Sequence, residues 1–296
     1  MLTTMQLAVI ISAHQRPKGL ERLLNSLAPQ LSADKHCLLI AENGTPAPLS
    51  LPESFANVVH LHDPRAGKCR AQNRAIARAR GEVLVFLDDD VIAAPGYLAA
   101  VEDFFAGHPE FAAMKGRILA EEDPARKLGA AACYAALPLV DHGESVIEVR
   151  GVVGANMAFR ARALAAAGGF DERLGPGAAG HEEETEMSAR LRRAGMRIGY
   201  APQAIVYHAV DPARARRPAF LELARQRGFS RIIHERRALA KIALDNLIAI
   251  LRLTIARRLR AGPERLAREE HRAAIARGML DGALLRLRRR SKDEAA

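Results

Sequence analysis

The first ninety residues alternate short apolar runs with segments of helical periodicity, and this alternation restricts the fold more than any other feature. Leu7–Ile11 reads as a buried strand, and within Gly19–Leu27 the residues Leu20, Leu23, Leu24 and Leu27 recur at helical spacing. Cys37–Ala41 and Val58–Leu61 are further apolar runs, Arg70–Arg80 is helix-like, and Glu82–Leu87 (EVLVFL) reads as a fourth strand. Strands alternating with helices predict an α/β fold, a mostly parallel sheet with helices on both faces. In such sheets ligands bind beyond the carboxyl ends of the strands. That rule selects three loops: Ser12–Pro17, Glu42–Thr45 and Asp88–Asp90.

Further along, Tyr97–Phe105, Ala161–Ala167 and Glu183–Ala194 read as helices, and Val146–Arg150, Ile198–Tyr200 and Ala204–Tyr207 as strands. Beyond Pro212 nearly everything is helix-forming, with Pro218 and Pro263 interrupting the run. Charge divides the chain at the same place. The total is +10, but residues 1–210 carry a net −2 and residues 211–296 a net +12. Two domains are therefore expected: a near-neutral catalytic body over 1–210 and a basic helical extension over 211–296. A hydrophobic fraction of 49% excludes a disordered chain. No apolar run is long enough to span a bilayer, the first six residues do not resemble a signal peptide, and three scattered cysteines argue against a disulfide framework. The expected location is the cytoplasm, at most peripheral on the inner face of the membrane.

Two acidic clusters carry the chemistry. Asp88-Asp89-Asp90 follows directly on a buried strand, and three adjacent carboxylates need a compensating cation or water. Hard divalent metals take oxygen ligands and typically use one or two carboxylates plus substrate phosphates. A solvated acidic turn is the bland alternative. The second cluster, His181-Glu-Glu-Glu-Thr-Glu186, opens a helix, where a charged first turn is the bland reading. The glycine-rich Gly175–Gly180 before it would suit a mobile lead into a general base.

Taken together, the segments AVIISAHQRP (Ala8–Pro17), IAENGT (Ile40–Thr45), RAGKCRAQNRAIARARGEVLVFLDDDV ending at Val91, GANMAFR (Gly154–Arg160), GGFDERLG (Gly168–Gly175), HEEETEMSARLRRAG (His181–Gly195) and Val206-Tyr-His208 resemble the family 2 glycosyltransferases of GT-A fold, in family order. The resemblance spans about residues 7–210. It implies an inverting, metal-dependent transfer of a sugar from a nucleotide diphosphate sugar to an acceptor hydroxyl, of the hexosyltransferase type, in polysaccharide or glycolipid synthesis. It places Ser12, Ala13 and Arg16 on the donor nucleotide, Glu42 where an Asp usually reads the base, and Gly67 and Asn73 beneath the nucleotide. It places Asp88, with Asp89 beside it, at the ribose. Asp90 falls on Mn²⁺ or Mg²⁺, with His208 as a second metal contact. Glu184 falls on the catalytic base with Glu183 next to it, and Gly154, Ala155 and Asn156 on the acceptor side. Uridine diphosphate is the favoured donor nucleotide, with guanosine and thymidine diphosphate as alternatives. Three departures stand out: the first loop lacks the family's aromatic, Glu42 replaces Asp, and Glu184 replaces the commoner Asp.

Competing classes are weaker. A nucleotidyltransferase would want a glycine- and lysine-rich phosphate loop after the first strand, which SAHQRP is not. A nucleic-acid binder would want stacking aromatics among the tail arginines, and a scaffold would not need Asp88, Asp90 and Glu184 intact. The segment Ile242–Ile255, flanked by Arg236-Arg237 and Arg257-Arg258, and the Leu/Arg mixture of Leu284–Arg290 suit an anionic membrane surface and a glycan or lipid-linked acceptor. The alternative is packing on the catalytic core or on a second copy of the chain. The remaining histidines show no metal-ligand spacing with cysteine.

Overall fold

The alternation of side chains along the early strands sorts them onto two faces. In the computed structural model, which describes residues 6–55, 58–235 and 237–293, β1 (Leu7–Ala13) sends Leu7, Val9, Ile11 and Ala13 into one core and Ala8 and Ile10 into another. β2 (His36–Asn43) and β4 (Val83–Asp88) divide in the same way, with Leu38, Ile40, Val85 and Leu87 on the first side and Leu39, Ala41, Leu84 and Phe86 on the second. Strands buried on both faces read as continuous apolar runs, which is why they were legible.

Helices cover both cores. On the first face lie α1 (Pro17–Leu27), through its Leu20, Leu23, Leu24 and Leu27, and α3 (Tyr97–Gly107). On the second lie α2 (Lys68–Ile76), α5 (Ala161–Ala167) and α6 (Glu183–Arg193). The sheet also holds β3 (Val59–Asp63), β5 (Val91–Ala93), β6 (Phe111–Ala120), β7 (Ile147–Glu148), β8 (Asn156–Arg160) and β9 (Arg197–His208). Its order is β3-β2-β1-β4-β8-β6-β9-β5, with β7 paired to β9. Neighbours from β3 to β4 run parallel, β8 is antiparallel to both β4 and β6, and β6 is parallel to β9. Among the described residues four strand pairings are parallel and four antiparallel, so the sheet is mixed and lies between helices, as the GT-A resemblance implies.

Two compact units are present. The first comprises Met1–Glu121, Leu137–Glu172 and Glu183–Ala209; the second comprises Glu122–Ala136, Arg173–Glu182 and Val210–Ala296. The second unit contains α4 (Pro124–Leu128), α7 (Arg217–His234), α8 (Leu239–Arg258) and α9 (Pro263–Asp293). Pro218 and Pro263 stand at helix starts, where a missing N–H costs nothing. α7 and α9 approach closely at Gly228 and Gly278: a Cβ on either would lie 1.9 Å from a carbonyl oxygen of the other helix.

Candidate functional site

The strand-end rule is obeyed within the first unit. β1 ends at Ala13 and β4 at Asp88, with parallel register pairing Ser12 to Asp88, so the first loop and the acidic triplet emerge side by side. His14 donates its backbone N–H to Asp89 at 2.7 Å, and Arg16 reaches both Asp89 at 2.9 Å and Asp90 at 3.0 Å. Asp89 is buried, and burial above all raises its carboxyl to about 6 despite Arg16 and the His14 N–H. Asp89 is thus an internal fastener between the two loops.

Asp88 leads to the second acidic cluster. Its carboxylate lies 2.7 Å from the Lys68 ammonium, which is also 3.7 Å from Glu183. Lys68 stands at the start of α2, just after Gly67, whose φ of 150° favours glycine and whose N–H donates to Asn43. Burial alone would lower the Lys68 ammonium, but the carboxylates of Asp88, Glu183 and Glu184 outweigh it and hold the pKa above its usual value. Glu184 in turn accepts the backbone N–H of Gly154 at 3.1 Å. Gly154 admits this approach because it has no side chain: a Cβ there would sit 2.5 Å from the Glu184 carboxylate and 3.1 Å from Lys68 Nζ. Asp88, Lys68, Glu183, Glu184 and Gly154 therefore form one cluster.

The two glutamates differ. Glu183 is only 3% exposed, one carboxylate oxygen has no hydrogen-bond partner, and burial followed by the neighbouring Glu184 charge pushes it up to about 8. A carboxyl that keeps its proton near neutrality is a poor base. Glu184 is half-buried, and its carboxyl group accepts the Gly154 N–H. The other acids of the motif are committed elsewhere: Glu186 to Arg190, and Glu182 to Arg231 and His234. Gly175–Gly180, read from sequence as a mobile lead, is tied within the second unit: the Ser230 hydroxyl donates to Ala179 and accepts from the His181 N–H.

Near Asp90, His208 Nε2 lies 3.4 Å from the Asp90 carboxylate, while its Nδ1 is 2.8 Å from the Ala209 carbonyl. The carbonyl accepts a hydrogen bond from Nδ1, so Nε2 is the ring nitrogen turned toward the Asp90 carboxylate. A carboxylate oxygen and an imidazole nitrogen this close are a donor set that fits a hard divalent metal completing its shell with substrate phosphates and water. Among the described residues there is no group of three or more His, Cys, Asp or Glu side chains arranged to hold a metal alone.

The remaining residues singled out from sequence are engaged as follows. Ser12 accepts a hydrogen bond from Gln72, and Ala13 and Ala155 are buried. Glu42 is fully buried, taking hydrogen bonds from Thr45, the Leu49 N–H and His60. Asn73 clamps Phe170 through both ends of its amide and reaches Glu172. Asn156 accepts from the Tyr97 hydroxyl and donates to the carbonyls of Arg117 and Ala204. These three amide and carboxylate groups serve the protein's own framework. Lys68 is the residue that sequence reasoning missed; it is one basic residue among several in its segment, and only the topology distinguishes it.

Residues 8–130 match the family model Glycosyl transferase family 2, and residues 83–267, well over half of the chain, match Glycosyl transferase family group 2. The chain belongs to the family 2 glycosyltransferases. It is similar to a pre-mycofactocin glycosyltransferase of Mycobacterium tuberculosis, 27% identical over 210 residues that cover 68% of this chain and 42% of the relative. It is also similar to a glucosyl-dolichyl phosphate glucuronosyltransferase of Haloferax volcanii, 25% identical over 51% of this chain and 50% of that one. The chain thus spans about half the length of these two relatives. Its fold is similar to that of the mannosyltransferase PcManGT from Pyrobaculum calidifontis in complex with GDP-Man and Mn²⁺ (TM-score 0.54, 17% identity, 96% of this chain and 76% of that chain). The S. aureus TarS fragment in complex with UDP-GlcNAc gives a TM-score of 0.55 at 17% identity, over 83% of this chain and 71% of that one.

Proposed function

We propose that this chain transfers a hexose, with inversion, from a nucleotide diphosphate sugar to an acceptor hydroxyl, and that Glu184 is the base. The observation that carries the reading is the convergence of Asp88 from the first acidic cluster and Glu184 from the second around Lys68 and Gly154. An acceptor alcohol is too weak an acid to ionise at neutral pH, so a base must take its proton as it attacks. In the proposed step Glu184 accepts that proton, the acceptor oxygen forms its bond to the anomeric carbon from the face opposite the leaving group, and the carbon–oxygen bond to the diphosphate breaks. The nucleoside diphosphate leaves with the electron pair. A single displacement of this kind inverts the anomeric centre and needs no covalent intermediate.

Ser12, Ala13 and Arg16 line the donor loop, Asp88 addresses the ribose, and Gly67 and Asn73 shape the floor beneath the nucleotide. Gly154 and Ala155 border the acceptor. Asp90 and His208 are the residues that would hold Mn²⁺ or Mg²⁺, which when bound would offset the charge of the diphosphate. UDP is the favoured donor nucleotide by family frequency, and a GDP-sugar, such as the GDP-Man in the PcManGT complex, or a dTDP-sugar is the alternative. The acceptor is a glycan or lipid-linked hydroxyl in polysaccharide or glycolipid synthesis, a class that includes the glucosyl-dolichyl phosphate in the name of the Haloferax relative. The working division of labour is a catalytic body over 1–210 and a helical extension over 211–296.

The test is a thermal-shift panel of UDP, GDP and dTDP with and without Mn²⁺, on the wild type and on Asp90→Ala. A ligand that binds only the folded state raises the melting temperature. One nucleotide should stabilise the wild type in a Mn²⁺-dependent manner, and Asp90→Ala should lose the Mn²⁺ increment. Absence of any shift from all three nucleotides would refute the reading.

A further inference from the structure

α8 is built inside out. Its contact face is made of Ile242, Asn246, Ala249 and Ala256, mostly small or polar, whereas Leu244, Leu247, Ile248, Leu251 and Ile255 form a second stripe that faces solvent. These outward positions recur at three- and four-residue steps, so they cover one side of the helix roughly opposite the packed one. The exposures decide the matter: Leu247 is 63% exposed and Leu251 58%. Scattered exposed leucines are ordinary, but a contiguous stripe of this size marks an interaction surface.

The charges around the stripe identify its partner. From Leu239 to Arg260 the only acid is Asp245, and Arg237 lies 3.6 Å from it. Lys241, Arg252, Arg258 and Arg260 hold no ion pair among the described residues. A second copy of the chain would bring this same positive face against itself, since a two-fold contact is self-complementary. The stripe also lacks the aromatic anchors that dominate protein interfaces. An anionic bilayer offers both complements at once: apolar depth for the leucines and negative headgroups for the arginines. No helix among the described residues is long and apolar enough to cross a membrane, which leaves α8 lying in the interface plane. Arg236, the other half of the dibasic pair noted from sequence, lies outside the described residues.

We infer that the outward face of α8 is a membrane-docking surface for anionic phospholipid. The test is flotation of the full chain with phosphatidylcholine vesicles, with and without about a third of phosphatidylglycerol, from about 0.05 M to about 0.5 M salt. Flotation should require the anionic lipid and fall at least tenfold as salt rises. Leu247→Ser/Leu251→Ser and Arg252→Glu/Arg258→Glu, both at exposed positions, should each reduce vesicle-bound protein about tenfold or more while melting as the wild type does. Failure to float at low salt, or undiminished flotation of both variants, would overturn the inference. So would a dimer, seen by light scattering, that the leucine pair of substitutions dissociates, because the face would then belong to a second copy. Flotation reads no sugar transfer, so a negative result leaves the proposed reaction standing.

Discussion

The Lys68 ammonium lies 2.7 Å from the carboxylate of Asp88, so the cation that relieves the first acidic cluster comes from the chain itself. The same ammonium is 3.7 Å from Glu183, and its charge is felt by Glu184. One buried cation therefore joins the end of β4 to the start of α6, elements nearly a hundred residues apart in sequence. Arg16 performs the equivalent service for Asp89 and Asp90. The carboxylates of Asp88, Asp89 and Asp90 are thus each held by a basic side chain of the same chain.

Lys68→Met removes that join. It leaves Asp88 and Glu184 without their shared counter-charge, and stranding a partly buried carboxylate is more costly than never burying it. The variant should lose about 1–3 kcal/mol in denaturant unfolding and should lower kcat/KM about tenfold or more through misplacement of the base. A variant with wild-type stability and wild-type kcat/KM would remove Lys68 from the site.

Glu184→Gln and Glu183→Gln separate the neighbouring candidates. Loss of a general base typically costs about 10²–10⁴-fold. Glu184→Gln should therefore lower kcat by that factor while the dissociation constant for the nucleoside diphosphate stays within about twofold. Glu183 keeps its proton near neutrality because it is buried beside Glu184, so an amide is a close mimic and Glu183→Gln should retain most of the turnover. The reverse ranking of the two kcat values would transfer the base to Glu183.

Glu183 also makes stability depend on pH. Its ordinary value is 4.5, and burial raises it to about 8 in the folded protein. Between these values the unfolded chain has released the proton while the folded chain retains it, so stability falls as pH rises through the window from about 4.5 to about 8. Glu183→Gln abolishes this loss. Thermal melts should show the variant and wild type alike near pH 4.5, with the variant increasingly ahead as pH rises toward 8. Asp89, also raised by burial, contributes with the same sign to both proteins and cancels in the comparison.

How far such features could be read in advance depended on whether the signal was local. β1, β2 and β4 are legible because both their faces are buried and their residues are apolar throughout. β6 (FAAMKGRILA) carries no strand pattern, since Ala, Lys, Gly and Arg lend it none; it is extended because β8 and β9 pair with it on either side. β9 reads as two strands because Pro202-Gln203 interrupts the apolar run. The strand in fact continues past them with a register shift, Gly116 opposite Ala201 and Arg117 opposite Ile205. In the site, the aspartates and glutamates announce themselves by residue type. Lys68 sits in a segment with Arg65, Arg70 and Arg74, which turn to Asp63, and only the meeting of α2 with α6 singles it out.

Asn156 gives a sharp trial of the acceptor-side assignment. Its amide satisfies the buried Tyr97 hydroxyl and the carbonyls of Arg117 and Ala204, joining α3, β6 and β9 around the end of β8. Asn156→Ala leaves a buried hydroxyl and two carbonyls without their partner at once, each deficit worth about 1–3 kcal/mol before relaxation. The expected result is a loss of about 2–4 kcal/mol, seen as a melting temperature lower by about 5 °C or more, with acceptor KM changed little in the protein that remains folded. A variant that melts normally but shows acceptor KM raised tenfold would reverse the conclusion. It would place the Asn156 side chain against substrate and require the amide to leave Tyr97 when acceptor binds.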